Sequence, residues 1–187
     1  KCQWLEQLFK DELKTRGFQT ASGGFIYWVK DGYIFSVAQA YWVAVFDGKP
    51  IGERVSIRIE AKPDCLDSLF FKLFGEEEMM KSFSSRLCGE PSLSMLEIQE
   101  ERCMQEPDFA HYTLDQMLAW VRPLAGQIEA DIVRFTQQVP DLEGFCRLMQ
   151  SRPLESGIEN ELYALVLCRL QRYGELRHFL ANRPDLH

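Results

Sequence analysis

The stretch Gly23–Lys62, GGFIYWVKDGYIFSVAQAYWVAVFDGKPIGERVSIRIEAK, constrains this chain more than any other part of it. Aromatic and β-branched side chains crowd it, and Asp31-Gly32 and Asp47-Gly48 interrupt the run at hairpin spacing. That is the pattern of an antiparallel meander. Phe25–Lys30 and Tyr33–Gln39 read as two strands about a type I′ turn, Tyr41–Phe46 as a third strand and Val55–Glu60 as a fourth. In the fourth, Val55, Ile57 and Ile59 alternate with Ser56, Arg58 and Glu60, inward against outward. The first strand is apolar on both faces, so partial cover is expected on both sides of the sheet.

Helical periodicity flanks this block. Residues 3–16 place Trp4, Leu5, Leu8, Phe9 and Leu13 on one face, with Gly17 as the stop. Asp64 is expected to cap a helix whose apolar stripe is Leu66, Leu69, Phe70, Leu73 and Phe74, ended by Gly75. Glu76–Leu87 reads as a second short helix, and a strand near Ser94–Gln99 is possible within the poorly legible stretch 89–108. Thr113–Gln138 carries the strongest helical signal. Thr113 and Gln116 form a capping box, and Pro123 is expected to kink or divide the helix. Leu142–Gln150, Ile158–Arg172 and Glu175–Ala181 follow, with Gly174 as the expected turn between the last two. The expected class is therefore α+β: a four-stranded antiparallel meander flanked by helices, then a helical C-terminal half. The expected division is 1–110 and 111–187, the second packed on the first or continuous with it.

The chain has 187 residues and is 46% hydrophobic, enough for a sizeable core. Its 28 acidic and 21 basic residues give a net charge of −7. Such a chain repels phosphate backbones, which disfavours nucleic acid, and attracts a basic protein; a need for solubility accounts for the same charge. Six cysteines, Cys2, Cys65, Cys88, Cys103, Cys146 and Cys168, include no C-x-x-C pair, which argues against a zinc or thiol-redox site. Cys65, Cys146 and Cys168 lie beside apolar residues and are expected to be small buried hydrophobes in a reducing, cytoplasmic setting. No apolar run approaches the roughly 18 residues of a membrane span. No signal-peptide pattern is visible, although residue 1 is Lys and a removed leader stays open.

Chemistry-bearing motifs are absent. No G-x-S-x-G, P-loop or paired-histidine pattern occurs, and His111, His178 and His187 have no nameable catalytic partner. No cofactor, metal or catalytic residue is assigned. Carboxylates cluster at Glu76, Glu77 and Glu78 and again at Glu97, Glu100 and Glu101, with Glu106 and Asp108 beyond. They lack the alternate spacing and glycine turn of a cation loop. A solvated face and a docking surface for a basic partner remain, the second drawing Trp28 and Trp42 in beside the carboxylates. A small-molecule pocket over the sheet, lined by Tyr27, Trp28, Tyr41 and His111, is a further possibility.

The run Leu13-Lys14-Thr15-Arg16-Gly17-Phe18, with the aromatic strand, hairpin and alternating strand after it, resembles a large group of uncharacterised bacterial α+β domains. Some of these accompany secreted toxins as immunity proteins. The resemblance extends from the start of the chain to Gly75. It implies a small cytoplasmic binding protein with no catalytic centre, and it carries over no binding residue. The expected function is a non-enzymatic protein-binding module, an immunity protein whose acidic, aromatic-bearing surface covers a basic effector sterically. Separately, ELYALVLCRLQRYGELRHFL, from Glu161 to Leu180, resembles half of a tetratricopeptide-type hairpin. A solenoid needs about three repeats, so a single α-hairpin packed on the domain is expected, with an adaptor role as the alternative function.

Overall fold

The computed structural model describes residues 2–46, 49–87, 93–98, 113–154 and 157–183, and of residues 2–5, 39–46, 49–56 and 93–98 the backbone alone. The fold is α+β, an antiparallel sheet with a largely helical C-terminal region. The helices are α1 (Cys2–Thr15), α2 (Asp67–Phe74), α3 (Phe83–Leu87), α4 (Leu114–Gln138), α5 (Leu142–Gln150), α6 (Gly157–Arg169) and α7 (Tyr173–Ala181). The strands are β1 (Gln19–Thr20), β2 (Ile26–Lys30), β3 (Tyr33–Phe46), β4 (Lys49–Pro63) and β5 (Leu93–Ile98), in the spatial order β1-β2-β3-β4-β5. Every pairing among them is antiparallel.

Four strands of the sheet have five residues or more, and they are divided differently from the sequence expectation. Tyr33–Gln39 and Tyr41–Phe46 belong to one strand, β3, which pairs with β4 from Tyr33↔Pro63 to Phe46↔Lys49. Ala40 is small but has an ordinary backbone, and nothing in the run forces a turn there. The fourth long strand is β5, within the stretch that was hard to read. The β2–β3 turn is as expected: Asp31 and Gly32 both have positive φ, 50° and 81°, as a type I′ turn requires. Asp47-Gly48 lies outside the described residues.

Register fixes the two faces. Ile26↔Val37, Trp28↔Phe35, Phe35↔Ala61 and Val37↔Ile59 share one face. Against it lie Phe9 and Leu13 of α1, Val121, Ala125, Ile128, Ile132 and Phe135 of α4, Phe145 of α5, and Leu162 and Val166 of α6, in one buried cluster. Phe135 meets Tyr33 and Phe35 edge-on at 5.4 and 5.8 Å. The Tyr33 hydroxyl donates to the Asp141 carbonyl at 3.0 Å. The other face carries Tyr27, Ile34 and Lys62, also buried, and Val29, 42% exposed, so it is covered in part.

Helix ends explain most remaining differences. Thr113 and Gln116 make the expected capping box, at 2.8 and 3.3 Å. Pro123 does not divide α4. Pro123 and Ala119, whose carbonyl it leaves unpaired, are both exposed to water, while Val121, Ala125 and Ile128 hold the turns around them in the core. The α6–α7 turn is made at Gln171, with φ 59°, and not at Gly174, which lies in the first turn of α7. The Arg172 amide closes it on the Leu167 carbonyl at 2.9 Å.

Candidate functional site

Between β4 and β5 the chain leaves the sheet at Asp64 and returns to it by way of α3. Among the described residues this excursion carries the two most exposed large apolar side chains, Leu73 and Phe74, beside the first group of carboxylates. Its first turn, Asp64–Leu66, is a 3-10 helix that sends Leu66 into the core and leaves Cys65 exposed, contrary to the expectation for that cysteine. Helix α2 follows. Leu69 and Phe70 are half-buried and Phe71 is buried, whereas Leu73 and Phe74 are 62% and 63% exposed. The expected stripe thus holds at Leu66 but not at Leu73 and Phe74, and the buried anchor is Phe71. Gly75, with φ 70°, ends the helix through Glu76 N–H donating to the Phe71 carbonyl at 2.8 Å. That left-handed turn leads directly to exposed Glu76, Glu77 and Glu78, the last paired with Lys81. Met79, 45% exposed, lies in the same short 3-10 helix, Glu77–Lys81. The Phe70 and Phe74 rings meet at 4.8 Å, tilted 51° to each other. The result is an apolar surface bordered by three carboxylates on one short excursion.

The base of the excursion is polar and buried. The Lys62 ammonium donates to Asp67 Oδ1 at 2.8 Å and to the Arg86 carbonyl. Arg86 Nε donates to Asp67 Oδ2 at 2.6 Å and its Nη2 to Asp64 Oδ1. Lys62 and Asp67 are 5% and 1% exposed and Arg86 is largely covered, so two cations share the Asp67 carboxylate out of water, while the half-exposed Asp64 carboxylate joins Arg86 from the rim. Asp64 therefore pairs with Arg86 and does not cap a helix, as the sequence suggested; a charged donor competes better for a carboxylate than a backbone amide does. Burial lowers the Lys62 pKa to about 8 against the opposing pull of Asp67. The Arg86 guanidinium lies 4.4 Å from the Phe83 ring, and Phe83 stacks on Tyr27 of the sheet at 4.4 Å. The Asp64 amide is held by the Gly32 carbonyl at 2.9 Å.

The other candidate residues are dispersed. Trp28 is half-buried against Phe18 at 5.0 Å, with Lys30 Nζ 4.9 Å from its ring, on the sheet face opposite the one that Phe83 covers. Tyr27 and Trp28 therefore point to opposite faces and cannot line one pocket. Trp42 is in β3 opposite Arg54, and Glu97 is in β5 opposite Arg58. The side chains of Tyr41, Trp42 and Glu97, and all of Glu100, Glu101, Glu106, Asp108 and His111, lie outside the described residues. Among the described residues no three His, Cys, Asp or Glu are placed to hold a metal ion, and no helix is long and apolar enough to cross a membrane.

The C-terminal hairpin has a groove of about 500 Å³ lined by Tyr163, Gly174, Glu175, His178, Phe179 and Asn182. Tyr163 and Phe179 meet edge-on at 4.9 Å in it, and Gln150 donates to the Tyr163 hydroxyl at 3.0 Å.

Sequence reading missed the ion cluster and misplaced two apolar residues. Period-two alternation, carried on from Arg58 and Glu60, puts Lys62 on the outer face, which was a usable signal. Nothing local ties Arg86 to it. The segment Leu69-Phe70-Phe71-Lys72-Leu73-Phe74 has more apolar residues than one helical stripe can bury, which foretold that some would stay in water.

The chain matches no family model, and no curated protein or solved structure is detectably similar to it.

Proposed function

We propose that this protein is a non-enzymatic binding module that docks a basic protein on the excursion surface, in the manner of an immunity protein that covers its effector. The observation that supports this reading is the exposure of Leu73, Phe74 and Met79 beside Glu76, Glu77 and Glu78. Exposed apolar groups rimmed by charge mark interaction sites. Burying Leu73 and Phe74 against a partner would supply short-range affinity, and the carboxylates would raise the encounter rate with a cationic surface. The block would be steric, since the reading assigns no group that performs chemistry.

The experiment is capture of partners by tagged protein at low and high salt, followed by association kinetics with the partner obtained. Replacing Glu76, Glu77 and Glu78 together by Lys should slow association about tenfold or more at low salt and flatten its salt dependence. Phe74→Ala should speed dissociation. Unchanged rates in both variants would remove this surface from the interface.

The groove on the C-terminal hairpin supports a second reading, an adaptor that binds through α6 and α7. A Cβ on Gly174 meets nothing within 4 Å, so Gly174→Leu would fill the groove without disturbing the helix. Loss of binding in that variant, with the excursion variants unaffected, would favour the adaptor.

A further inference from the structure

The excursion meets the core at its base, where Leu66 joins the core cluster and Leu69 and Phe70 pack against it, and buries little beyond. Its two ends meet: Asp64 and Asp67 near its start face Arg86 near its finish, and Lys62 joins them from the end of β4. Between those ends little is buried. Residues 72–79, 81 and 82 are exposed, and Leu66 and Phe71 are its buried apolar anchors, with Leu69, Phe70 and Phe83 half-buried. The far side is fixed to the sheet by the Phe83–Tyr27 stack and to the turn between β1 and β2 by Ser84 Oγ donating to the Ser22 carbonyl at 2.7 Å. Segments with few buried contacts open at lower free energy than the core they leave. Removing one member of a buried ion cluster leaves the others uncompensated, which is strongly destabilising where the cluster acts.

We infer that residues 67–87 form one cooperative unit that opens without global unfolding, and that Lys62, Asp67 and Arg86 are the latch holding it shut. The latch positions the docking surface: closed, it fixes α2 and the glutamates as described, with Leu73 and Phe74 already in water; open, it also releases buried Phe71 and half-buried Leu69 and Phe70 while α1, α4 and the sheet stay folded. The inference concerns the excursion itself and does not depend on any partner.

Amide hydrogen exchange on the partner-free full chain tests it. In the wild type, amides of 67–87 should exchange through an opening distinct from global unfolding, with protection at least about tenfold below that of α4. Arg86→Met should speed exchange of 67–87 about tenfold or more and that of α4 less than about twofold. Lys72→Ala, at an exposed position of α2 outside the cluster, should change neither. Equal protection of 67–87 and α4 in the wild type would overturn the inference, even where Arg86→Met failed to fold. So would equal acceleration of both regions, or none, in Arg86→Met. Binding by the excursion surface could still hold in each of those cases, because it is read separately in the association kinetics.

Discussion

Helices α2 and α4 show two ways of using apolar residues. In α4, Val121, Ala125, Ile128, Ile132 and Phe135 recur at helical spacing with polar residues between them, and all five are buried against the sheet and α1. In α2, five apolar residues lie within six positions, and at about 100° per residue they fall on several sides of the helix. Phe71 is taken into the protein and Leu73 and Phe74 are left in water. The lesson is that a helix with a clean stripe is held by its own burial, whereas one with surplus apolar surface must be held by something else. Here the ion contacts of Lys62, Asp67 and Arg86 join the two ends of the excursion and add to the anchoring by Leu66 and Phe71.

The largest expected effect lies in α4. Ile128 is fully buried, and Ile128→Ala should cost about 2–5 kcal/mol of global stability, read as a shift in the denaturant midpoint. A loss below about 1 kcal/mol would break the contrast with α2, since surface changes stay near that range. Next comes Thr113→Ala. It removes the capping box of α4 and should cost about 1 kcal/mol in the same assay.

Alkaline titration sharpens the comparison from the other side. The folded-state pKa of Lys62 is lowered to about 8 from 10.5, so between those values the unfolded chain holds a proton that the native state has released. The Lys62 contribution to stability should therefore rise with pH across that window. Two groups work against it. Burial, before the nearby Asp141 charge, raises the Tyr33 pKa, and burial likewise raises that of Cys146. The native state keeps those protons longer, and stability falls as the unfolded groups ionise. Subtracting the curve of Lys62→Met from that of the wild type isolates the lysine. The difference should grow in favour of the wild type above pH 8, and a flat difference would contradict the assignment.

The smallest effect belongs to the exposed surface. Phe74→Ala, or Lys at Glu76, Glu77 and Glu78, should change stability by no more than about 0.5 kcal/mol in a thermal or denaturant melt. A larger loss would mean that these residues hold the fold rather than face a partner.

Much of the frame was legible because it is specified locally. Asp31-Gly32 demanded its turn, Thr113 and Gln116 their capping box, and Gly75 its helix stop. The division of the sheet was less so, because the Asp31-Gly32 turn shows clearly while Ala40 only looked like a break. The candidate site was half legible. Glu76, Glu77 and Glu78 are exposed as a charge run should be, but Leu73 and Phe74 counted as core until the position of Phe71 was known. The Arg86–Asp67 contact joins residues far apart in sequence, and no periodicity reports such a pairing.

The measurement that tests the docking surface most directly is site-specific photocrosslinking. A photoreactive amino acid in place of Leu73 is compared with one in place of Arg134, a residue 61% exposed on the core helix α4. The expected result is a basic protein crosslinked from position 73 at low salt, absent from position 134 and lost when Glu76, Glu77 and Glu78 are replaced by Lys. The same product from both positions, or none from position 73 while the partner still binds, would contradict the account.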